Sequence, residues 1–290
     1  MSLLSRWFTT TSAVLTAAAS LGRRRAETTP TLVTLPAPVS PLQDIAARLR
    51  SAESDVRLDG LRDWVGFGES LVDHRQPALD VLCATLRDLP SPGSEVDRRW
   101  RQVLQTTLAA RLRPGPGFWL GCDVDLRHAT LVDFDLSECR VRAARFDGTR
   151  FLGDTRFDQS TFLGAFDAAG AFFGRHVLFT RSVFARGLGL RGVTVRGNAE
   201  LSHIQVAGPV TLGRARFSGR ADFTCARFGS DLDSSDVRFG GRAVFRRAWF
   251  AGASTFARTW FRGREDFVEA AFGGESSFEN ARFGHRVHAD

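Results

Sequence analysis

The chain has 290 residues, enough for one long domain or two ordinary ones, and 43% of them are hydrophobic. All 39 basic residues are arginine and no tyrosine is present, which excludes a phosphate-loop lysine, a Schiff-base lysine, a kinase lysine and a tyrosine acid or base. The net charge of +7 indicates weak affinity for anions. Cys83, Cys122, Cys139 and Cys225 are far apart with no CxxC pair, which favours a reducing compartment over a disulfide framework.

Residues 1–41 are predicted to form an N-terminal tail and a proline-rich linker. Apolar residues between Leu4 and Leu21 fall on one side of a predicted helix, and an arginine cluster, residues 23–25, follows them. A basic cluster after the apolar stretch fits a secretory signal poorly. Two interpretations stay open for residues 1–25: a disordered or docked tail, and a membrane-surface helix. Prolines in residues 26–41 oppose regular structure.

Residues 42–117 are predicted to form a small helical domain. Apolar residues at helical spacing predict helices over about 42–51, 55–68, 77–89 and 94–113. Ser94 is predicted to cap the last of these helices, and the Pro-Gly-Pro-Gly stretch at 114–117 ends it. Because an array of repeats needs its end covered, we expect this domain to cap the coils that follow.

The chain from Cys122 onward is a repeat. Large apolar residues recur every five positions from Leu126 to Phe151, and every eleven positions from Phe151 to Phe283, with a second apolar position six residues after most markers. A five-residue unit fits a short strand that alternates inward and outward and then turns a corner. Four units, two of them carrying an extra residue, make one square coil with a period of 22 residues and predict about seven coils.

The sequence of these units resembles the pentapeptide-repeat family. Ala129, Thr130 and Leu131 form one such unit, and residues 144–146 (Ala-Arg-Phe) and 226–228 (Ala-Arg-Phe) are phenylalanine variants of it. The resemblance covers residues 122–283 and implies a right-handed quadrilateral β-helix. The helical block is similar to the one that precedes the repeats in actinobacterial members. The fold class expected is therefore mainly β, with the β-helix over residues 122–290.

The repeat phase also predicts details of the coils. Glycines two residues after a marker, such as Gly208 and Gly241, are predicted to provide positive φ at sharp corners. Glu265 is expected to point inward, where small or aliphatic residues normally lie. Either this corner is distorted, or the carboxylate pairs with Arg242 or Arg264.

A candidate basic docking face follows from the period of 22 residues. Two columns of outward side chains are expected to stack on successive coils, with Trp260 against a neighbouring arginine. The first column contains Arg220, Arg242, Arg264 and Arg286, and the second contains Arg216, Arg238, Trp260 and Arg282. Half a coil away lie Pro209, Asp231, Ala253 and Glu275, so that side is expected to be neutral to acidic. A solvated arginine ladder that only confers solubility is the alternative interpretation.

No motif for catalysis, cofactor binding or a metal site emerges, so an enzyme is not expected. The expected function is a noncatalytic scaffold with a protein partner in the cytoplasm. One alternative, implied by the family, is a rod that mimics duplex DNA and binds a type II topoisomerase, but residues 122–290 carry 24 Arg against 20 Asp and Glu. Another is a membrane-peripheral protein at the inner face, attached through residues 1–25. Specific nucleic-acid recognition is not expected. An uncovered last coil predicts a homodimer through residues 267–290.

Overall fold

The computed structural model describes residues 40–284, and it contains a set of helices followed by a β-solenoid of about seven turns. The helices are α1 (Pro41–Leu49), α2 (Ser54–Ser70), α3 (Arg75–Asp88) and α4 (Glu95–Leu112), with one 3-10 turn at Val72–His74. Ser94 accepts a hydrogen bond from the backbone N–H of Asp97, which confirms it as the N-cap of α4. The predicted tail and the C-terminal residues 285–290 lie outside the described residues.

The solenoid consists of four parallel sheets, which we name A to D in the order in which the chain visits them. Sheet A contains the strands Val124–Asp125, Ala144–Arg145, Phe166–Asp167, Leu188–Gly189, Val210–Thr211, Leu232–Asp233, Ser254–Thr255 and Ser276–Ser277. Sheet B contains Thr130–Val132, Arg150–Leu152, Phe172–Phe173, Thr194–Val195, Arg216–Phe217, Arg238–Phe239, Trp260–Phe261 and Arg282–Phe283. Sheet C contains Thr155–Arg156, Val177–Leu178, Ala199–Glu200, Ala221–Asp222, Ala243–Val244 and Glu265–Asp266. Sheet D contains Arg140–Val141, Thr161–Phe162, Val183–Phe184, Gln205–Val206, Arg227–Phe228, Trp249–Phe250 and Ala271–Phe272.

The register of these sheets reproduces the two periods seen in the sequence. In the first coil Val124 pairs with Ala144, a step of 20 residues, as four units of five require. From the second coil onward the step is 22 residues, as in the pairing of Phe151 with Phe173. One coil uses one strand of each sheet, so sheet B lies opposite sheet D and sheet A opposite sheet C. The predicted square coil is therefore confirmed.

The phenylalanine ladder forms the interior of the solenoid. Phe245 is fully buried, and its ring stacks on Phe223 at 4.7 Å and on Phe267 at 4.8 Å. These centroid separations match the ~4.8 Å spacing of paired strands, because each ring repeats the position of the ring one coil below. Where a central residue is small, the residue two before it is large: Ser234 follows Leu232, and both are buried. The interior volume is conserved within the unit.

The helices cover the exposed backbone edge of the first coil. Gln105 on α4 donates a hydrogen bond to the carbonyl of Val132 (2.7 Å) and accepts one from the N–H of the same residue (3.0 Å). Gln76 on α3 makes the same pair of bonds with Asp123, at 3.1 and 2.7 Å. The buried guanidinium of Arg101 donates to the carbonyls of Thr130, Leu86, Leu89 and Pro90. These side chains replace the strand that the first coil lacks.

The corner glycines have a different physical role from the one predicted. Gly208 and Gly241 do not have positive φ; the left-handed corners are instead occupied every eleven residues, as at His203, Arg214 and Cys225. A Cβ on Gly208 would overlap the carbonyl of Arg186 in the preceding coil. The corner therefore requires glycine because successive backbones approach closely, and the prediction of positive φ was wrong at these positions.

Candidate functional site: the basic face of sheet B

The second arginine column is built by the register of sheet B. Arg216 pairs with Arg238, Arg238 pairs with Trp260, and Trp260 pairs with Arg282. In each strand the next residue is the inward phenylalanine, so alternation directs the arginine or tryptophan to solvent. All four side chains are exposed, and they lie one coil apart, at about 4.8 Å per step.

Neighbouring outward positions enlarge this column to a basic face. The exposed arginines on sheet B and its flanking outward positions are Arg150, Arg196, Arg214, Arg216, Arg238, Arg258, Arg262 and Arg282. Five of them fall outside the two columns predicted from the sequence. The 22-residue period, applied to the outward positions on either side of the second column, would have located them. Within these outward columns over residues 150–284 the one carboxylate is Asp236, which accepts hydrogen bonds of 2.8 and 2.9 Å from Arg258. Glu279 and Asp233 lie beside the columns and also act electrostatically on Arg258. The side-chain hydrogen bond from Arg258 lowers the pKa of Asp236, which keeps this carboxylate charged.

Trp260 lies at the centre of a shallow cleft in this face. The cleft has a volume of about 430 Å³ and is lined by Arg238, Arg258 and Arg282 together with Trp260, Asp236 and Asn280. The predicted contact between Trp260 and a stacked arginine is not found in the described residues. That arrangement occurs lower on the same sheet, where the guanidinium groups of Arg150 and Arg196 lie 5.9 and 5.3 Å from the ring centroid of Phe172. Trp260 is 42% exposed and is therefore accessible to a partner.

The first arginine column lies at the corner between sheets B and C and differs in its pairing. Arg220 pairs with Asp222, and Arg242 pairs with Asp266 at 2.8 Å. Arg264 is exposed and has no ion pair with a described residue. Arg286 lies outside the described residues. Two members of this column thus have their charge neutralised locally, so sheet B carries more of the unpaired positive charge.

Glu265 points inward without distortion and without a partner. It lies in a regular strand pair with Ala243, so the expected distortion of this corner was wrong. The alternative partner is also absent, because Arg242 binds Asp266 instead, and Oε2 of Glu265 is buried with no hydrogen bond to a described residue. The residue as a whole is partly exposed, because it lies near the last coil.

The corner between sheets D and A is neutral to acidic. Asp231 and Glu275 are exposed half a coil from the first column, and they line a cleft of about 400 Å³ that also includes Asp233. This agrees with the neutral-to-acidic side predicted there. Acidic side chains do not form a continuous strip along the described coils, because Gly189 and Thr211 occupy the outward positions of sheet A in the middle coils. Charge is therefore distributed asymmetrically around the coil.

Neither a cluster of metal-binding side chains nor a membrane-spanning helix is found in residues 40–284. Over residues 40–284, no three metal-binding side chains of the His, Cys, Asp or Glu type converge on one site. No helix in the same range has the length and apolar character needed to cross a membrane. Comparison with known proteins returned no matching family model, no matching curated protein and no matching solved structure. The β-solenoid is thus established by its register and its stacked phenylalanines.

Proposed function

We propose that this chain is a noncatalytic scaffold of the pentapeptide-repeat type that binds an acidic protein through the basic face of sheet B. The observation that supports this most strongly is the concentration of eight exposed arginines against one paired carboxylate on this face. A rigid sheet holds these side chains in fixed columns, so a partner meets a preorganised array of donors.

A protein partner fits this face better than a nucleic acid does. Arginine and tryptophan are the residue types most often found at the energetic centres of protein interfaces, and Trp260 lies between Arg238 and Arg282 in one cleft. Recognition of single-stranded nucleic acid generally uses several stacking aromatic side chains along a groove. Trp260 is the one strongly exposed aromatic ring among the outward positions of sheet B over residues 150–284. The acidic positions are too discontinuous to support mimicry of duplex DNA.

The charge distribution is compatible with action in the cytoplasm, where acidic proteins are abundant partners for a basic face.

We also propose that the last coil supports self-association. Phe283 is 47% exposed, and Phe272 and Phe278 are only partly buried. The last strands of the four sheets present one unpaired edge within the described residues, and such edges pair readily with a second chain.

Affinity capture from the native cell tests the docking face when two variants of equal charge are compared. The face variant carries Arg216→Glu and Arg238→Glu, which have no ion pairs with described residues. The control carries Arg140→Glu and Arg145→Glu on sheets D and A, which changes the net charge equally. Arg242 is unsuitable, because its reversal would also place a carboxylate beside Asp266.

We expect wild type and control to recover the same protein and the face variant to lose it. Recovery of that protein by all three chains would refute docking through sheet B. Loss of nucleic acid in place of protein would show that the face serves a nucleic-acid partner.

A further inference from the structure

A second concave region lies on sheet D, on the opposite side of the solenoid from the basic face. This sheet D cleft has a volume of about 640 Å³, and its lining includes Arg181, His203, Cys225, Arg227 and Trp249. Gln205 and Arg247 complete it. The cleft shares no residue with the basic face of sheet B, so it is independent of the proposed scaffold function.

The register of the coils fixes the side chains of this cleft. Gln205 pairs with Arg227, and Arg227 pairs with Trp249, so these three form one outward column on three successive coils. The adjacent column consists of left-handed corner residues, one per coil: Arg181, His203, Cys225 and Arg247. Two parallel columns therefore hold the polar groups on four coils, over a length of about 14 Å at ~4.8 Å per step.

Among the described residues, the side chains that line the cleft are mainly hydrogen-bond donors, and none of them is a carboxylate. Arg181 and Arg227 have no ion pair with any residue in the range 40–284, and both are exposed. Arg247 binds Glu269 through Nε at 2.6 Å, which positions its guanidinium at one end of the cleft. Gln205 and the indole N–H of Trp249 add neutral donors. Such an arrangement favours an anion that accepts several hydrogen bonds, and phosphate oxygens do so with particular strength.

Trp249 adds a feature that a simple anion does not need. This residue is 47% exposed and lies at the end of the outward column, one coil beyond Arg227. An exposed indole on a rigid strand provides a face on which a planar ring can stack. Because Arg181 lies three coils away from Trp249, the cleft matches an extended ligand with a ring at one end and negative charge towards the other.

We propose that the sheet D cleft binds a nucleotide, with its ring on Trp249 and its phosphates on Arg227 and Arg181. His203 and Gln205 lie between these arginines and contribute further donors to the phosphate chain. A single orthophosphate contacts only part of this length, so affinity is expected to rise with the number of phosphates and with the presence of the ring.

Cys225 supplies a reporter within the cleft. It is half-buried, whereas the other three cysteines are buried. Burial raises the pKa of Cys83 to about 12 and that of Cys139 to about 12, and burial also raises the pKa of Cys122. At pH 8 these three thiols therefore stay protonated and shielded, so alkylation reports on Cys225.

The experiment measures the alkylation rate of Cys225 in the full chain by mass spectrometry, with ATP, tripolyphosphate or adenosine as probe. We expect ATP to slow alkylation by iodoacetamide at least threefold, tripolyphosphate to require a higher concentration for the same effect, and adenosine to have none. Arg227→Gln is expected to abolish protection by ATP. Arg140→Gln, at an equivalent exposed position of sheet D outside the cleft, is expected to preserve it. Trp249→Ala is expected to make ATP and tripolyphosphate equivalent.

Absence of protection by both phosphate compounds would overturn the proposal. Equal protection in wild type and Arg227→Gln would overturn it as well, because binding would then lie elsewhere. Protection by tripolyphosphate at the same concentration as ATP in wild type would refute the role of Trp249 and hence the assignment to a nucleotide. Far-UV circular dichroism of each variant verifies that the coils are folded.

Discussion

Replacement of Gln105 by leucine removes the two buried hydrogen bonds that join α4 to the strand edge of the first coil. Gln105 is 4% exposed and Val132 is 7% exposed, so water has little access to the two hydrogen bonds that join them. Leucine fills a similar volume but leaves both the N–H and the carbonyl of Val132 without these partners. A buried polar group that loses its partner costs about 1–3 kcal/mol, and the leucine side chain offsets roughly 1 kcal/mol of the total for two groups. We expect the free energy of unfolding to fall by about 3 kcal/mol.

Gln76→Leu provides a matched control. Gln76 makes the same two backbone hydrogen bonds, but both it and Asp123 are only partly buried. Water can therefore replace the lost side chain, and we expect a loss of about 1 kcal/mol or less. Urea denaturation followed by circular dichroism measures both variants, with an unchanged dependence on denaturant showing that the transition is comparable. Equal losses for the two variants, or a loss below about 0.5 kcal/mol for Gln105→Leu, would refute the idea that hydrogen bonds to the buried strand edge stabilise the first coil.

Three further perturbations test other parts of the structure. Gly208→Ala is expected to destabilise the fold by about 1–3 kcal/mol, because the added Cβ overlaps the preceding coil. Gly66→Ala in α2 has nothing within 4 Å of its added Cβ and is expected to stabilise the fold by up to about 1 kcal/mol. Thermal unfolding measures both variants, and an unchanged stability of Gly208→Ala would contradict the close approach of the two backbones. Burial acts to raise the pKa of Asp266, but the N–H of Val268 and the guanidinium groups of Arg246 and Arg242 outweigh it, so the pKa lies below its ordinary value. A carboxylate whose pKa is lower in the folded state stabilises the fold above the unfolded-state pKa of about 4, and this stabilisation is lost as the pH falls. The loss of unfolding free energy caused by Asp266→Asn, measured by urea denaturation, should therefore shrink from pH 7 to pH 3. A loss that stays constant over this range would contradict the pairing. Phe283→Lys is expected to shift a dimer towards monomer, as measured by light scattering. Leu120→Lys, at an exposed position in the segment before the first coil, is expected to leave the oligomeric state unchanged. A wild-type chain that is strictly monomeric would refute the proposed self-association.

The fold was predictable because the interior repeats strictly. The phenylalanines at 217, 239 and 261 occupy one stack, with ring separations of 5.3 and 5.2 Å, so their spacing alone fixes the register of sheet B. Once that register is known, every outward position is known too. The column of Arg216, Arg238, Trp260 and Arg282 follows directly, and the strand pairing confirms it.

Contacts that depend on side-chain reach were not predictable in the same way. The period places Arg242 next to both Glu265 and Asp266, but it does not say which carboxylate the guanidinium reaches. The backbone directs Asp266 outward and Glu265 inward, so Arg242 binds the outward one. The cap contacts of Gln105 and Arg101 were missed for a related reason: they are polar residues on a helix whose buried surroundings exist only once α4 lies on the first coil.

Glycine shows a third limit of sequence reasoning. A recurring glycine indicates either positive φ or a close approach of two backbones, and the residue type does not distinguish these causes. The eleven-residue period applies to both kinds of corner. Non-glycine residues such as Arg214 and Asp236 occupy the left-handed corners, while Gly208 occupies the crowded one.

Site-specific photo-crosslinking in the native cell tests the central claim most directly. A photoreactive amino acid replaces Arg238 on the basic face in one chain and Arg145 on sheet A in the other; both positions are exposed. If the basic face docks an acidic protein, position 238 is expected to crosslink to one discrete acidic protein that position 145 does not capture, and added salt is expected to weaken the product. Identical products from both positions, or no protein product from position 238, would contradict the claim that sheet B is the docking surface.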